Sequence, residues 1–179
     1  MSRWLICIVA MLLAGPATAA DVTALQVVEV GLFRAVTTGE MPSPQAVNER
    51  TALLDNVVFY NLTTKVPARL GIRFGTRFRV VGAPANQTVM LRSIWRIPEP
   101  GIQKPETGKF YRESIADNEN VIGGLSMRGY TFDDYWEIRC GEWLQEVWFG
   151  DRKLLSQTFT VEDCQGVPSA ARGMARPAG

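Results

Sequence analysis

The chain has 179 residues, of which 46% are hydrophobic and 21% charged, and it contains no histidine. This composition is typical of a single globular domain and excludes a disordered or collagen-like chain. The absence of histidine excludes a Ser-His-Asp triad, a Cys-His catalytic pair and a zinc site with histidine ligands. No cofactor motif is present, so the sequence predicts no cofactor.

The first 20 residues have the features of a secretory signal peptide. Arg3 supplies a positive charge, residues 4–14 form an apolar run, and Ala17-Thr18-Ala19 has the small-residue form of a cleavage site. The apolar run is shorter than the ~20 residues that cross a bilayer. Cleavage after Ala19 and cleavage after Ala20 fit equally well. We therefore predict that residues 1–20 are removed and that the mature protein lies in the periplasm without a membrane span.

Signal-peptide removal also changes the charge. Loss of Arg3 lowers the 19 basic residues by one, to match the 18 acidic residues, so the formal net charge changes from +1 to zero. The charges are unevenly distributed, because residues 21–100 carry nine basic and six acidic side chains and residues 101–163 carry seven basic and twelve acidic. A neutral protein has no global attraction to nucleic acid, and we expect no nucleic-acid partner.

Hydrophobic alternation with a period of two dominates the mature chain and predicts strands. In chain order, the alternating stretches lie at residues 22–36, 57–64, 74–81 and 89–97, with shorter ones at 109–115 and 127–133. Residues 142–149 and 153–161 flank a turn at Gly150-Asp151-Arg152 and form the clearest hairpin. The pattern predicts an all-β fold in one domain at residues 21–163. A β-sandwich of seven or eight strands is favoured, with a small barrel as the alternative.

Four segments interrupt or follow the strands. Residues 43–56 are predicted to be a short helical or irregular insertion, because Ser43 and Pro44 suit a helix N-terminus. Residues 98–108 form a proline-rich connection, and residues 117–120 have the composition of a loop. Residues 164–179 are predicted to be a disordered tail.

Two cysteines remain after signal-peptide removal. Cys140 and Cys164 flank the C-terminal hairpin at nearly matching positions, which predicts a disulfide in an exported protein. Their wide spacing is unlike the CxxC motif of a redox pair.

Four segments resemble, in order and spacing, the motifs of a bacterial secreted family known only as a domain of unknown function. They are VPARLGIRFGTRF (66–78), WRIPEPGIQKPETGKFY (95–111), YTFDDYWEIRCGEW (130–143) and KLLSQTFTV (153–161). The resemblance covers about residues 22–162 and implies an immunoglobulin-like antiparallel β-sandwich and a secreted location, but no activity. The family pattern usually has proline before Gly141, where this chain has Cys140, so the disulfide would belong to a subset of the family.

The predicted hairpin exposes an aromatic candidate for binding. Leu144 and Trp148 alternate with inward-facing residues and would form an apolar patch on the outer face, with Tyr135 and Trp136 near it. The insertion at residues 39–56 could instead cover this patch.

A second candidate is basic. Arg92 and Arg96 share one face of a predicted strand. Their guanidinium groups could bind a carboxylate, a phosphate or a sulfated sugar, or they could pair with glutamates on neighbouring strands.

These features favour a non-catalytic binding module with a protein or glycan partner in the cell envelope. One alternative is a hydrolase that acts on a glycan and uses calcium or carboxylates; the carboxylates would come from Asp133, Asp134, Glu137, Glu142 and Glu146. Residues 117–120 could supply oxygen ligands to calcium but lack the spacing of a dedicated calcium loop, so we predict no metal site. Another alternative is a protease inhibitor that presents the 98–108 loop.

Overall fold

The computed structural model describes residues 19–166, which form two sheets packed face to face. Most of the predicted signal peptide and residues 167–179 of the predicted tail lie outside the described residues. The four-stranded sheet has the order β2(Arg50–Asn61), β1(Asp21–Pro42), β4(Arg73–Ala83) and β9(Leu125–Thr131). The five-stranded sheet has the order β3(Lys65–Pro67), β11(Arg152–Glu162), β10(Gly141–Phe149), β5(Thr88–Arg96) and β8(Glu113–Val121). The remaining elements are a ribbon of β6(Ile102–Gln103) and β7(Phe110–Tyr111), and 3-10 turns at Tyr135–Glu137 and Cys164–Gly166.

The predicted all-β sandwich is confirmed. Within residues 19–166, eight strands have seven residues or more, in agreement with the predicted seven or eight. The predicted C-terminal hairpin is β10 and β11, and they pair antiparallel. No helix in this part of the chain is long and apolar enough to cross a membrane.

The core consists of two apolar clusters, one toward each end of the sandwich. Phe74 is at the centre of the first cluster, and its ring makes edge contacts with Trp95 at 5.2 Å and Trp143 at 6.2 Å between centroids. Phe78 and Val147 belong to the second cluster. Five strands, β1, β4, β5, β10 and β11, contribute buried residues to both clusters, because alternate residues along a strand point to the same face.

The strand β1 belongs to two pairings. Its first part, from Asp21 to Leu32, pairs with β4, and its second part, from Leu32 to Pro42, pairs with β2. The two parts meet at Gly31, where a Cβ atom would lie 2.1 Å from the Asn61 carbonyl oxygen. Only glycine therefore permits this close approach of the β1 and β2 backbones.

Residues 33–59 form a long hairpin arm that crosses from one sheet to the other. Near its base, Phe33 packs against β9 at Gly129, where a Cβ atom would lie 2.6 Å from the Phe33 ring. The tip of the arm, residues 43–49, docks on the edge of β8. The Ile115 amide donates to the Gln45 carbonyl at 3.1 Å, and the Val47 amide donates to Ser114 Oγ at 3.1 Å.

The predicted insertion at residues 43–56 is irregular only in part. Residues 43–49 form turns rather than a helix, and the chain is a strand from Arg50 onward. Pairing of Arg50 and its successors with the end of β1 outweighs the local helix signal at Ser43 and Pro44.

The predicted loop at residues 117–120 is wrong, because these residues lie within β8. Backbone pairing with β5 over nine register positions overrides their loop-like composition. Their side chains alternate between the two faces of the sheet, with Asp117 outward and Asn120 inward and buried.

The predicted disulfide between Cys140 and Cys164 is confirmed. The Cα atoms are 6.1 Å apart, and the bond joins the residue before β10 to the second residue after the end of β11. Both half-cystines pack against the first apolar cluster.

We expect a Cys140→Ala/Cys164→Ala variant to lose about 3–4 kcal/mol of free energy of unfolding, because the bond closes a long loop in the unfolded chain. Urea denaturation of the variant and of the wild type, each with and without reductant, measures this loss. Reductant should lower the wild-type midpoint and leave the variant unchanged. Equal midpoints for the oxidised wild type and the variant would contradict the expectation.

Candidate functional site

Four of the six predicted binding residues meet on the outer face of the five-stranded sheet. Arg96 lies opposite Leu144, and Arg92 lies opposite Trp148, on the paired strands β5 and β10. The arm docks on β8, two strands away from β10, rather than on these residues.

The other two predicted binding residues lie elsewhere. Tyr135 and Trp136 belong to the 3-10 turn Tyr135–Glu137. Trp136 packs against the first apolar cluster, and Tyr135 is 47% exposed. The structure therefore does not bring this pair to the outer face with Trp148.

The arginines of the outer face are already engaged by carboxylates. Arg92 donates two hydrogen bonds to Asp117, at 2.8 and 2.9 Å, and lowers the pKa of that carboxyl group. Arg96 forms ion pairs with Glu113 and with Glu146. The pairing of arginine with acidic residues across strands is thus the arrangement observed on this face.

Glu146 lies at the centre of the outer face and is buried. Its carboxylate accepts hydrogen bonds from Lys153 Nζ at 2.9 Å and from Trp148 Nε1 at 3.3 Å. Burial opposes ionisation, but these hydrogen bonds and the charges of Lys153 and Arg96 outweigh it and lower the pKa of Glu146. The polar edge of Trp148 is therefore occupied within the protein.

A groove of about 910 Å³ lies beneath the arm. Its volume is within the range of roughly 300–1,000 Å³ found for ligand pockets. One wall is the arm, and the opposite side is formed by β8 and β9. The apolar residues that line it are Phe33, Met41, Ala46, Val47, Ala52, Leu53, Leu54, Val57, Met90, Trp95, Ala116, Leu125, Met127 and Tyr130.

The groove runs along a sheet edge. β9 is the last strand of the four-stranded sheet, and every residue of Leu125–Thr131 lines the groove. In an edge strand, alternate residues direct their N–H and C=O groups away from the sheet. The Met127 and Arg128 carbonyls point in opposite directions and both accept side-chain hydrogen bonds, so one carbonyl of this edge is already occupied. The remaining backbone groups make the edge of β9 a template for another extended chain.

A polar layer separates the two apolar clusters and leads to the groove. The Thr76 hydroxyl donates to Gln145 Oε1 at 2.7 Å, and Gln145 Nε2 donates to the Arg128 carbonyl at 2.8 Å. Thr76 and Gln145 are fully buried, as is nearly all of Ser93. In the strand registers, each of these residues stands between one member of the first cluster and one of the second.

Arg128 stands where this layer meets the groove. Its Nη2 donates to Asn120 Oδ1 at 2.9 Å, and its Nη1 donates to Ser126 Oγ at 3.0 Å and to the Met127 carbonyl at 2.6 Å. The guanidinium Nε has no hydrogen-bond partner. Burial lowers the pKa of Arg128 to about 10, so the group stays cationic at neutral pH.

Glu137 lines the other end of the groove and is fully buried. Its Oε1 accepts a hydrogen bond at 2.9 Å from Asn48 Nδ2 in the arm tip, whereas its Oε2 and the nearby Tyr130 hydroxyl are buried without a hydrogen-bond partner. Burial, reinforced by the nearby charge of Asp133, outweighs the hydrogen bond from Asn48 and raises the pKa of Glu137 to about 7. Burial also raises the pKa of Asp133.

The acidic residues of the predicted hydrolase site are divided between two regions. Asp133 and Glu137 line the groove, whereas Glu142 and Glu146 lie on the strand β10 of the five-stranded sheet. Within residues 19–166, no group of three or more acidic or cysteine side chains is placed to hold a metal ion.

The 98–108 connection is anchored rather than free. Ile102 and Tyr111 pair within the β6–β7 ribbon, and both are buried in the first apolar cluster. The hydrogen bond from Gln103 Nε2 to the Gly108 carbonyl, at 2.9 Å, closes its exposed tip.

We expect stability to decrease as pH rises from about 4.5 to about 7, and Glu137→Gln to flatten this decrease. The native pKa of Glu137, about 7, is above its ordinary value of 4.5, so the folded state holds the proton more tightly over this interval. Urea denaturation at a series of pH values measures the effect. Glu142→Gln, at an exposed position on β10, is the matched control and should keep the wild-type profile. Identical profiles for Glu137→Gln and the wild type would contradict the assignment.

Comparison with solved structures supports the immunoglobulin-like architecture. An immunoglobulin-like protein from Pseudomonas aeruginosa aligns with a TM-score of 0.55 and 23% identity, over 83% of this chain and 100% of that chain. The alkylpurine DNA glycosylase AlkC of Pseudomonas fluorescens, bound to DNA with an abasic site analog, aligns with a TM-score of 0.37 and 14% identity, over 56% and 28%. A β-D-glucoside glucohydrolase from Trichoderma reesei gives 0.35 and 12%, over 82% and 19%. The last two scores are too low to bear on fold or function.

Sequence comparison gives the family. No curated protein matches the chain. A family model described as "Domain of unknown function (DUF3859)" matches residues 21–161, nearly all of the predicted mature domain. The chain therefore belongs to the DUF3859 family and has an immunoglobulin-like β-sandwich fold.

Proposed function

We propose that this protein is a non-catalytic binding module that holds an extended segment of a partner protein in the groove beneath the arm. The observation that carries the proposal is the edge of β9, which lines the groove along its whole length. An extended peptide that adds to a sheet edge gains main-chain hydrogen bonds, and pockets beside the edge select its side chains.

The arm fits this role because it touches the sandwich at separated places. Phe33 contacts β9 at Gly129, Arg77 donates to the Val57 carbonyl at 2.6 Å, and the tip docks on β8. The groove lies between these contacts. Exposed sheet edges tend to pair with the edges of other protein molecules and cause aggregation. An arm in this position shields the β9 edge from such pairing.

The outer face of the five-stranded sheet supports a binding role less well. Its arginines are paired with carboxylates, and the indole nitrogen of Trp148 is bonded to Glu146. A partner at this face would have to replace contacts that already exist.

Carboxylate catalysis is the second candidate, because Asp133 and Glu137 line the same groove and both have raised pKa values. The full burial of Glu137 and its hydrogen bond to Asn48 favour a role in holding the arm. A hydrolytic activity lost in Glu137→Gln would support catalysis over binding.

The proposed site of action is the periplasm. The N-terminal sequence has the features of a signal peptide, and the Cys140–Cys164 disulfide suits an oxidising compartment.

The test is a selection of peptides from a random library on the secreted protein, followed by affinity measurements with variants. Ala116→Trp places an indole in the groove from the inner face of β8. We expect this substitution to lower the affinity for the selected peptides by at least about tenfold, because it removes contacts throughout the site. N-methylation of alternate peptide amides should weaken binding as well, because it removes main-chain hydrogen bonds.

Two variants on the outer face are the controls. Thr158→Trp adds the same side chain opposite Leu144, and Trp148→Ala removes the aromatic candidate of that face. Both should bind the selected peptides like the wild type. Binding that survives Ala116→Trp and fails in Trp148→Ala would place the site on the outer face and refute the proposal.

A further inference from the structure

Arg128 differs in its charge environment from Arg50 and Arg77, the other two arginines that line the groove. Arg77 pairs with Glu29, Arg92 with Asp117, and the arm residue Arg50 with Glu40. In the described part of the chain, no carboxylate forms an ion pair with Arg128. A buried charge is ordinarily retained only when a partner compensates it.

The neutral contacts of Arg128 fix its position without neutralising it. Asn120 and Ser126 hold the two terminal nitrogens, and Asn120 also accepts a hydrogen bond from Ser126 at 2.7 Å. The guanidinium carbon lies 5.8 Å from the centroid of the Phe78 ring, which supports the side chain from below. The unpartnered Nε is one arm of the fork with which arginine binds carboxylates in a bidentate manner.

The Nε is buried, but the acidic residues that line the groove leave the charge of Arg128 uncompensated. Five acidic residues line the groove: Glu40, Asp117, Glu119, Asp133 and Glu137. Glu40 and Asp117 are paired with arginines, and Glu137 is bonded to the arm. Among the described residues, neither Glu119 nor Asp133 forms an ion pair with Arg128. A single guanidinium matches a carboxylate better than a phosphate dianion, which usually requires several donors or cations.

We infer that Arg128 is the anion-recognition residue of the groove, and that the bound segment carries a carboxylate, from an acidic side chain or a chain terminus, which pairs with the guanidinium. This inference rests on the proposed function, since it names the chemistry of the ligand that the groove holds. The carboxylate supplies the missing compensating charge, and the β9 edge supplies the backbone contacts.

The first measurement is an NMR titration of the arginine Nε–H groups in the wild-type protein with sodium acetate, against sodium chloride at equal ionic strength. We expect acetate to shift the Arg128 signal saturably. The Arg92 Nε–H, already bonded to Asp117, is the internal control and should not move. Sodium phosphate is a parallel arm, and a larger response to phosphate than to acetate would overturn the assignment to a carboxylate.

The second measurement uses three synthetic peptides with the sequences acetyl-TVTVT-amide, acetyl-TVTVT with a free carboxyl end, and acetyl-TVEVT-amide. The two charged peptides should bind about five- to tenfold more tightly than the neutral one, as expected for a charge-assisted bidentate contact. Arg128→Gln should abolish the difference, and Arg128→Lys, which keeps the charge but not the fork, should retain part of it. Arg112→Gln, at an exposed position outside the groove where Arg112 pairs with Glu99, is the control and should leave the difference unchanged.

The outcomes separate the two proposals. If all three peptides bind equally and lose affinity in Ala116→Trp, the groove is a peptide site and the role of Arg128 is refuted. If acetate shifts the Arg128 signal but none of the peptides binds, the result supports the anion site and refutes the peptide-binding function. An Arg128 signal that ignores acetate overturns the inference, whether or not the variants fold.

Discussion

The groove depends on one constraint, which is that β1 is twice as long as the strand beside it. β1 has 22 residues and β4 has 11, so the second half of β1 has no place in the pairing with β4. Beyond Leu32 that half no longer pairs with β4, and it forms the arm with β2. A β1 that ended at Leu32 would give an ordinary sandwich with an open edge at β9. The arm turns this open edge into one wall of an enclosed site.

One layer of the sandwich interior is polar rather than hydrophobic. At the level of Thr76, Ser93 and Gln145, polar side chains occupy positions that would otherwise join the two apolar clusters into one core. A net intramolecular hydrogen bond contributes only about 1 kcal/mol, whereas burial of a large apolar side chain contributes roughly 1.5–3 kcal/mol. The layer is therefore not explained by stability. The polar layer ends at Arg128, beside the groove. Local departures from good packing are expected at functional sites, so its position next to the groove favours a role in binding.

The sequence predicted the parts of the fold that have strong alternation, and it failed where pairing partners decide the structure. The β10–β11 hairpin and the Cys140–Cys164 disulfide could be predicted because the residues that pair lie within 25 positions of each other in the sequence. The strand β2 was missed at its start because Arg50 and the residues after it have no strand pattern of their own and become a strand through β1. Residues 117–120 became strand through β5 for the same reason.

Of the groove residues, Glu137 was named as an acid, but its contact with Asn48, which is 89 positions away, has no signature in the sequence. Arg128 carried one usable signal, since it shares an alternating face with Tyr130 and Phe132, both of which are buried.

Access to the two charged groups distinguishes binding from catalysis in the groove. A general acid must reach the bond that it protonates, and Glu137 is fully buried with one oxygen bonded to the arm tip. Its use in catalysis would require the tip to leave β8, which breaks the contacts of Gln45 and Val47 as well. Arg128 also lines the groove, and its hydrogen-bond partners Asn120, Ser126 and Met127 lie on β8 and β9 rather than in the arm. Its unpartnered Nε is buried, so a ligand reaches it through a local side-chain shift and not through release of the arm tip. The groove thus holds an uncompensated cation among neutral groups of β8 and β9 and ties its carboxyl group to the arm tip, which favours binding over catalysis.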